Sequence, residues 1–217
     1  GKIKQLHYKM LPVISDWLPE DKEMSAYINQ MRQTVYTDKI IESRSPSYFF
    51  NKSRVGKTYE EILGEKLAIA DRLLYRSGNF MGTWDKVLCN ALRHEFCADV
   101  AMSAAVRWGT TTLAGDWITM EDVMTQCSMT YGETYVTEMS GKDLKTIFES
   151  VADNLFDPDP YLQSGGDMVR IGGLDYTIDP SKKLGERISN IILDNGKPLD
   201  MDARYTVAGW ASVNRTP

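Results

Sequence analysis

The sequence predicts an α+β fold in which a mixed β-sheet packs between α-helices. From residue 66 onward, segments with helical spacing of apolar residues alternate with short strand-like segments. The 217-residue chain is 42% hydrophobic and 25% charged, which is ordinary for a soluble globular protein. A domain of this length buries roughly 70% of the surface that its unfolded chain exposes. We therefore expect a fold that needs no disulfide or metal for stability.

The first element is an amphipathic helix predicted over residues 20–37. Its start is indicated by Pro19, Glu20 and Asp21, and its apolar residues recur at helical spacing: Met24, Tyr27, Ile28, Met31 and Val35. Residues 42–58 break this pattern and predict a loop or insertion rich in Ser, Arg and Lys. Its cluster of Tyr48, Phe49 and Phe50 either pins the loop to the body or forms a docking patch for a partner.

The strands and helices then follow in order. Strands are predicted over residues 66–75, 99–106, 133–139 and 204–211, and a further strand within 186–199 ends in an Asn195-Gly196 turn. Helices are predicted over residues 83–96, 119–126 and 140–155. Their starts carry capping residues, namely Thr83 for the first, Thr119 with Asp122 for the second, and Ser140 with Asp143 for the third.

Charge and hydropathy argue against two classes of partner. The net charge of −5 argues against nucleic acid, because phosphate binding needs a basic stripe. No apolar run reaches the ~18 residues of a membrane span, so we expect no membrane partner. The first residues show no signal peptide, and targeting therefore indicates no compartment.

The three cysteines do not form a recognisable site. Cys89 and Cys97 fall on one predicted helix, roughly 12 Å apart along its axis, which is too far for a disulfide; any bridge would have to use Cys127. Together with His94 they lack the paired spacing of a zinc site, so we expect no metal in this chain. His94 and Cys97 also lack a third group to orient them as a nucleophilic pair.

The segment SGGDMVRIGGL at residues 164–174 matches neither phosphate-loop pattern. Strand alternation would place Asp167 on one face and Met168 with Arg170 on the other. Arg170 and Arg107 both stand at predicted strand ends. Each guanidinium either binds an anion through two of its N–H groups or forms a structural ion pair, and the sequence leaves both open.

Several blocks in order resemble one known family. The quoted blocks are NALRHEFCADVAMSAAVRWGTT, ITMEDVM, MSGKDLKTIFESVADNLFDPDPY, SGGDMVRIGGLDYTIDP and RYTVAGWASV. They resemble the C-terminal domain of the 5′-nucleotidase superfamily and, within it, the SoxB thiosulfohydrolases of the Sox sulfur-oxidation system. The resemblance covers roughly residues 60–213. It divides the chain into a linker arm over 1–58 and a substrate-recognition domain over 59–217.

The resemblance implies a hydrolase that releases sulfate from a cysteine S-thiosulfonate on the carrier protein SoxYZ during thiosulfate oxidation in the periplasm. Such enzymes bind two divalent metals, with manganese the expected ion, in an N-terminal domain whose D-x-H, G-N-H-E and H-x-H motifs this sequence lacks. The chain is therefore expected to carry no catalytic residue, metal or cofactor of its own, to act with its metal domain and SoxYZ, and to be inactive alone.

The resemblance also implies a set of substrate-binding residues: Arg107, Trp108, Tyr131, Asp167 and Arg170. Met168 stands where nucleotidases of the superfamily have a second aromatic that clamps the base, which disfavours a nucleobase site. Ala104 and Ala105 stand where SoxB-like sequences tend to have Pro-Gly, which alters the expected loop conformation. Two alternatives remain, namely the C-terminal half of a 5′-nucleotidase or cyclic-nucleotide phosphodiesterase, and a stand-alone interaction module.

Overall fold

The computed structural model describes residues 4–11, 13–14, 17–39, 54–105, 109–127 and 134–210. The chain divides into two compact units, Gly1–Leu63 and Gly64–Pro217. This division falls a few residues after the boundary at residue 58 that the sequence suggested. Most of the predicted loop at 42–58, with its Tyr-Phe-Phe cluster, lies outside the described residues.

The first unit contains helices α1, Lys22–Val35, and α2, Tyr59–Leu63. The predicted amphipathic helix is confirmed as α1, whose N-terminus is capped by Asp21 through a 2.8 Å bond from the backbone N–H of Met24. No residue of α1 is buried, and its apolar stripe remains exposed. Helix α2 was not predicted, because five residues carry too little periodicity to be recognised.

The second unit contains three helices and eight strands among its described residues. In chain order they are β1 Lys66–Ile69, α3 Thr83–Phe96, β2 Val100–Ser103, β3 Trp117–Thr119, α4 Met120–Cys127, β4 Thr134–Ser140, α5 Gly141–Phe156, β5 Arg170–Gly172, β6 Leu174–Ile178, β7 Ile188–Leu193 and β8 Arg204–Trp210. Helices α3 and α5 match the predicted segments closely, because each has a full apolar stripe. None of the helices in these described ranges is long and apolar enough to cross a membrane.

A four-stranded sheet with the order β4-β8-β2-β5 forms the centre of this unit. Strands β2 and β8 are parallel, while β4 and β5 pair antiparallel at the two sides. The sheet is therefore mixed, as predicted. Two further antiparallel pairs are formed by β1 with β3 and by β6 with β7.

Helices cover both faces of the central sheet. Val100 and Met102 of β2 share the main core with Leu144 and Phe148 of α5. On the opposite face α3 approaches so closely that a Cβ at Gly172 would lie 2.7 Å from the Cβ of Cys89. Glycine at 172 is thus required for this contact. The arrangement of helices around a mixed sheet confirms the predicted α+β class.

Two of the predicted element boundaries were wrong. The strand predicted over 66–75 ends at Ile69, and beyond it Leu74 makes only a single bridge with Thr112. The N-cap of α3 is Gly82 rather than Thr83. The Thr83 hydroxyl instead accepts from the Tyr75 N–H at 3.0 Å and donates to the Leu73 carbonyl at 2.7 Å, so it fixes the preceding loop.

Candidate functional site

The carboxyl ends of β2 and β8 and the first residues of β4 and β5 lie together along one side of the central sheet. Since β2 and β8 are parallel, their carboxyl ends at Ser103 and Trp210 lie together, and the Trp210 indole N–H donates to the Ser103 hydroxyl at 2.7 Å. The antiparallel neighbours begin there, because Thr134 pairs with Trp210 and Arg170 pairs with Ser103. We call the region of Ser103, Trp210, Thr134 and Arg170 the Ser103 edge.

The structure describes two of the five predicted substrate-binding residues, Asp167 and Arg170. Arg107, Trp108 and Tyr131 lie outside the described residues. The described strands that flank them are β2, which ends at Ser103, and β4, which begins at Thr134. The chain therefore leaves and enters the sheet at the Ser103 edge on the way to these three positions.

Arg170 is fully buried and lies within an ionic cluster. Its Nη2 donates to the Gly78 carbonyl at 2.6 Å, and its Nε lies 3.2 Å from Oδ2 of Asp85. Burial lowers the pKa of the Arg170 guanidinium, while the Asp85 and Asp167 carboxylates oppose that shift. Of the two interpretations left open, the structural ion pair is present. Whether Arg170 also contacts a substrate stays a prediction.

Asp167 lies beside Arg170, with 3.9 Å between its Oδ2 and Nη2 of the arginine. The prediction that these two side chains occupy opposite faces of one strand was therefore wrong. The reason is that β5 begins only at Arg170, so the alternation does not extend back to residue 167. Met168, at the position of a clamp aromatic, is buried in the main core and only 1% exposed.

The cluster contains two further residues that the sequence reasoning missed, Arg76 and Asp85. Both are buried, and Nε of Arg76 donates to Oδ1 of Asp85 at 2.7 Å. The other oxygen of Asp85 accepts from the Gly82 backbone N–H at 2.8 Å, which caps α3. The capping position of Asp85 was a usable signal, since it stands three residues after the N-cap. Nothing in the sequence marks Arg76 as its partner.

Burial raises the pKa of Asp85, because an isolated carboxylate is poorly solvated in the interior. The Gly82 N–H and the guanidinium groups of Arg76 and Arg170 act in the opposite direction. Two arginines and two acids, Asp85 and Asp167, thus balance in formal charge within the cluster. Such an arrangement can hold charged side chains rigidly at the sheet edge without a bound counterion.

An apolar groove of about 420 Å³ lies next to the Ser103 edge. It is lined mainly by α3 and by the edge residues Thr134 and Trp210. Cys127 also lines it. All three cysteines are free thiols, with Cys89 buried and Cys97 exposed.

The described part of the chain offers no set of ligands that fits a metal. No three or more His, Cys, Asp or Glu side chains come together there.

Comparisons with known proteins identify the fold family. The family model described as the 5′-nucleotidase C-terminal domain matches residues 75–213. The sulfate thiohydrolase SoxB from Thermus thermophilus, solved in complex with glycerol, is similar over 93% of this chain, with 30% identity and a TM-score of 0.73. This chain spans 33% of the length of that protein. No curated sequence matches significantly.

Two nucleotidases share the fold at lower similarity. A 5′-nucleotidase precursor, also from Thermus thermophilus, matches 70% of this chain and 31% of its own, at 17% identity and a TM-score of 0.53. The NAD nucleotidase of Haemophilus influenzae matches 70% of this chain and 29% of its own, at 16% identity and a TM-score of 0.56. From the match of the family model over residues 75–213, the chain belongs to the 5′-nucleotidase C-terminal domain family.

Proposed function

We propose that this chain is the substrate-recognition domain of a SoxB-like hydrolase. The observation that carries the proposal is the 30% sequence identity to a sulfate thiohydrolase SoxB over 93% of the chain. The two nucleotidases described above have 16–17% sequence identity over 70% of the chain. The matched region is one third of that enzyme. The activity of the whole enzyme is therefore part of the proposal.

The proposed substrate is a cysteine S-thiosulfonate on a SoxYZ-like carrier protein, from which sulfate is released. A sulfonate is a tetrahedral anion, and a planar guanidinium can bind two of its oxygens at once. Arg107 and Arg170 are the proposed anion ligands, with Trp108, Tyr131 and Asp167 completing the binding surface. The ionic cluster supports this role for the Ser103 edge, because it fixes the position of Arg170 before a substrate arrives.

Hydrolysis in this proposal depends on a metal domain outside the chain. Two divalent metals there, with manganese the expected ion, would polarise the substrate and activate water. The residues of this chain would bind and orient the carrier's cysteine arm. A periplasmic location is part of the same proposal.

A nucleotidase is the second candidate, since the family and the two nucleotidase structures share this fold. Tyr131 supplies one aromatic for a base clamp. Met168 argues against a two-sided clamp, because it is buried in the main core and offers no stacking surface.

Sulfate release distinguishes these proposals. Loaded carrier is incubated with this chain alone and with a polypeptide that joins it to a metal domain of the family, and free sulfate is measured. We expect release only by the joined polypeptide. Release of phosphate from AMP without release of sulfate would favour the nucleotidase.

A further inference from the structure

The Arg76 side chain joins two chain segments that are far apart in the sequence. Its Nη1 donates to the Gln126 carbonyl at 2.8 Å, and its Nη2 donates to the Ala104 carbonyl at 2.7 Å. Ala104 directly follows β2, and Gln126 lies in the last turn of α4. A single buried guanidinium therefore holds both segments where they meet the Ser103 edge.

The side chain of Gln126 extends this connection to a third point. Its Nε2 donates to the Thr110 carbonyl at 2.9 Å, and the side chain is nearly fully buried. Gly109 packs against the same amide, since a Cβ there would lie 2.8 Å from Oε1 of Gln126. Ala104 and Thr110, which stand on either side of residues 105–109, are thus tied to one another through Arg76 and Gln126.

Asp85 orients the guanidinium that makes these bonds. It accepts from Nε of Arg76 at 2.7 Å and lies beside Nε of Arg170 at 3.2 Å. The Arg76 guanidinium also lies 5.9 Å from the ring centroid of Trp210. Each of its three nitrogens therefore donates to a fixed partner, which is the geometry that a planar arginine provides and a lysine does not.

We propose that Arg76 is a positioning residue of the Ser103 edge. By bonding the carbonyls of Ala104 and Gln126, it fixes the points from which the chain continues to Arg107, Trp108 and Tyr131, the predicted substrate-binding residues. The inference rests on the proposed function for what those residues bind. The hydrogen bonds that restrain Ala104, Gln126 and Thr110 do not involve a ligand, so their effect can be measured in the chain alone.

Arg187 offers a matched control, because it is an equally buried arginine whose hydrogen-bond partners are all outside the Ser103 edge. Its guanidinium donates to the carboxylate of Asp153 and to the carbonyls of Pro180, at 3.2 Å, and Phe156, at 3.1 Å. Like Arg76, it binds one acid and two backbone carbonyls. Replacing either arginine with lysine removes the same kind of contacts at two different places.

The first measurement is hydrogen exchange of the wild-type chain, Arg76→Lys and Arg187→Lys. We expect Arg76→Lys to increase exchange in the peptides that contain Ala104, Thr110 and Gln126, while Arg187→Lys leaves those peptides unchanged. Equal exchange in the wild type and Arg76→Lys, or an equal increase in both variants, would overturn the proposal. If Arg76→Lys does not fold, Gln126→Met removes only the side-chain donor to Thr110. Exchange should then increase around Thr110 while Ala104, still bonded by Arg76, stays protected; an equal increase at Ala104 would overturn the proposal.

The second measurement is affinity for carrier loaded with a cysteine thiosulfonate. Arg76→Lys should weaken binding by at least about tenfold, because small displacements of binding groups have large effects; Arg187→Lys should bind like the wild type. Wild-type affinity in Arg76→Lys would overturn the positioning role and leave the proposed function intact. If the wild type itself does not bind, the proposed function fails, and the exchange result alone decides whether Arg76 restrains the edge.

Discussion

Asp85 accepts a 2.7 Å hydrogen bond from Nε of Arg76, and both side chains are buried within the domain. The pair connects the N-terminus of α3 with the segment that precedes it. It also lies against Arg170, so one carboxylate serves two guanidinium groups. The stability of the Ser103 edge should depend on this acid more than on any exposed ion pair.

Replacing Asp85 with Asn tests that dependence. The variant keeps the shape of the side chain but removes the negative charge that faces the buried guanidinium groups of Arg76 and Arg170. We expect a loss of about 3–5 kcal/mol in the free energy of unfolding, as for other broken buried ion pairs. The loss is measured by urea denaturation.

The control for this variant is Asp194→Asn, which breaks the more exposed pair of Arg93 and Asp194. Exposed pairs contribute about 0–1 kcal/mol. If Asp85→Asn costs no more than Asp194→Asn, the ionic cluster does not stabilise the fold as described.

Thiol reactivity should separate the cysteines. Burial raises the pKa of the Cys89 thiol to about 12, so Cys89 should resist alkylation at pH 8 in the folded protein. Cys97 is exposed at the C-cap of α3 and should be labelled readily. Mass mapping after brief iodoacetamide treatment, with and without denaturant, measures both rates. Equal labelling of Cys89 and Cys97 in the native protein would contradict the packing of α3 on the sheet.

The capping hydrogen bonds at the start of α5 should stabilise the fold at neutral pH and lose this effect at acid pH. Hydrogen bonds from the Ser140 hydroxyl and backbone N–H lower the pKa of Asp143. A carboxylate with a lowered folded pKa stabilises the fold above its ordinary pKa of about 3.9, and that contribution is lost as pH falls through the lowered value. The difference in thermal midpoint between the wild type and Asp143→Asn should be largest at neutral pH and shrink below about pH 4. A difference independent of pH would show that ionisation of Asp143 plays no part.

The elements with full apolar stripes could be predicted from the sequence, and the charged contacts could not. Helix α5 was predicted within one residue, because its stripe and its Ser140 and Asp143 cap agree. Strands β3 and β6 were missed, since three to five residues carry little periodic signal. The bond between Arg76 and Gln126 joins residues fifty positions apart, and no local pattern marks such a pair.

The strand-end pattern selected Arg107 and Arg170 but left their role open, and the full set of candidate site residues came from the family resemblance. Arg170 was selected as an anion ligand, and the structure adds what the sequence could not show, that its guanidinium already faces Asp85. The sequence contains thirty Asp and Glu residues, and sequence spacing does not indicate which of them pairs with Arg170. Met168, which alternation placed on the face of Arg170, is buried in the main core.

A direct role for Arg170 in recognition is tested by Arg170→Gln. Loss of a charge-assisted hydrogen bond to a sulfonate should weaken binding of loaded carrier by roughly ten- to hundredfold. Arg187→Gln is the control, because it removes a different buried arginine. The folded protein of this variant should bind loaded carrier with wild-type affinity. Wild-type affinity in Arg170→Gln would limit this arginine to its structural pair with Asp85.

The most direct test of the account is a calorimetric titration of the 217-residue chain with the sulfur carrier, with and without a thiosulfonate on its cysteine, and with AMP. The proposed recognition domain should bind loaded carrier more tightly than unloaded carrier and should not bind AMP. Binding of AMP without binding of the carrier would contradict the account and assign the chain to the nucleotidases.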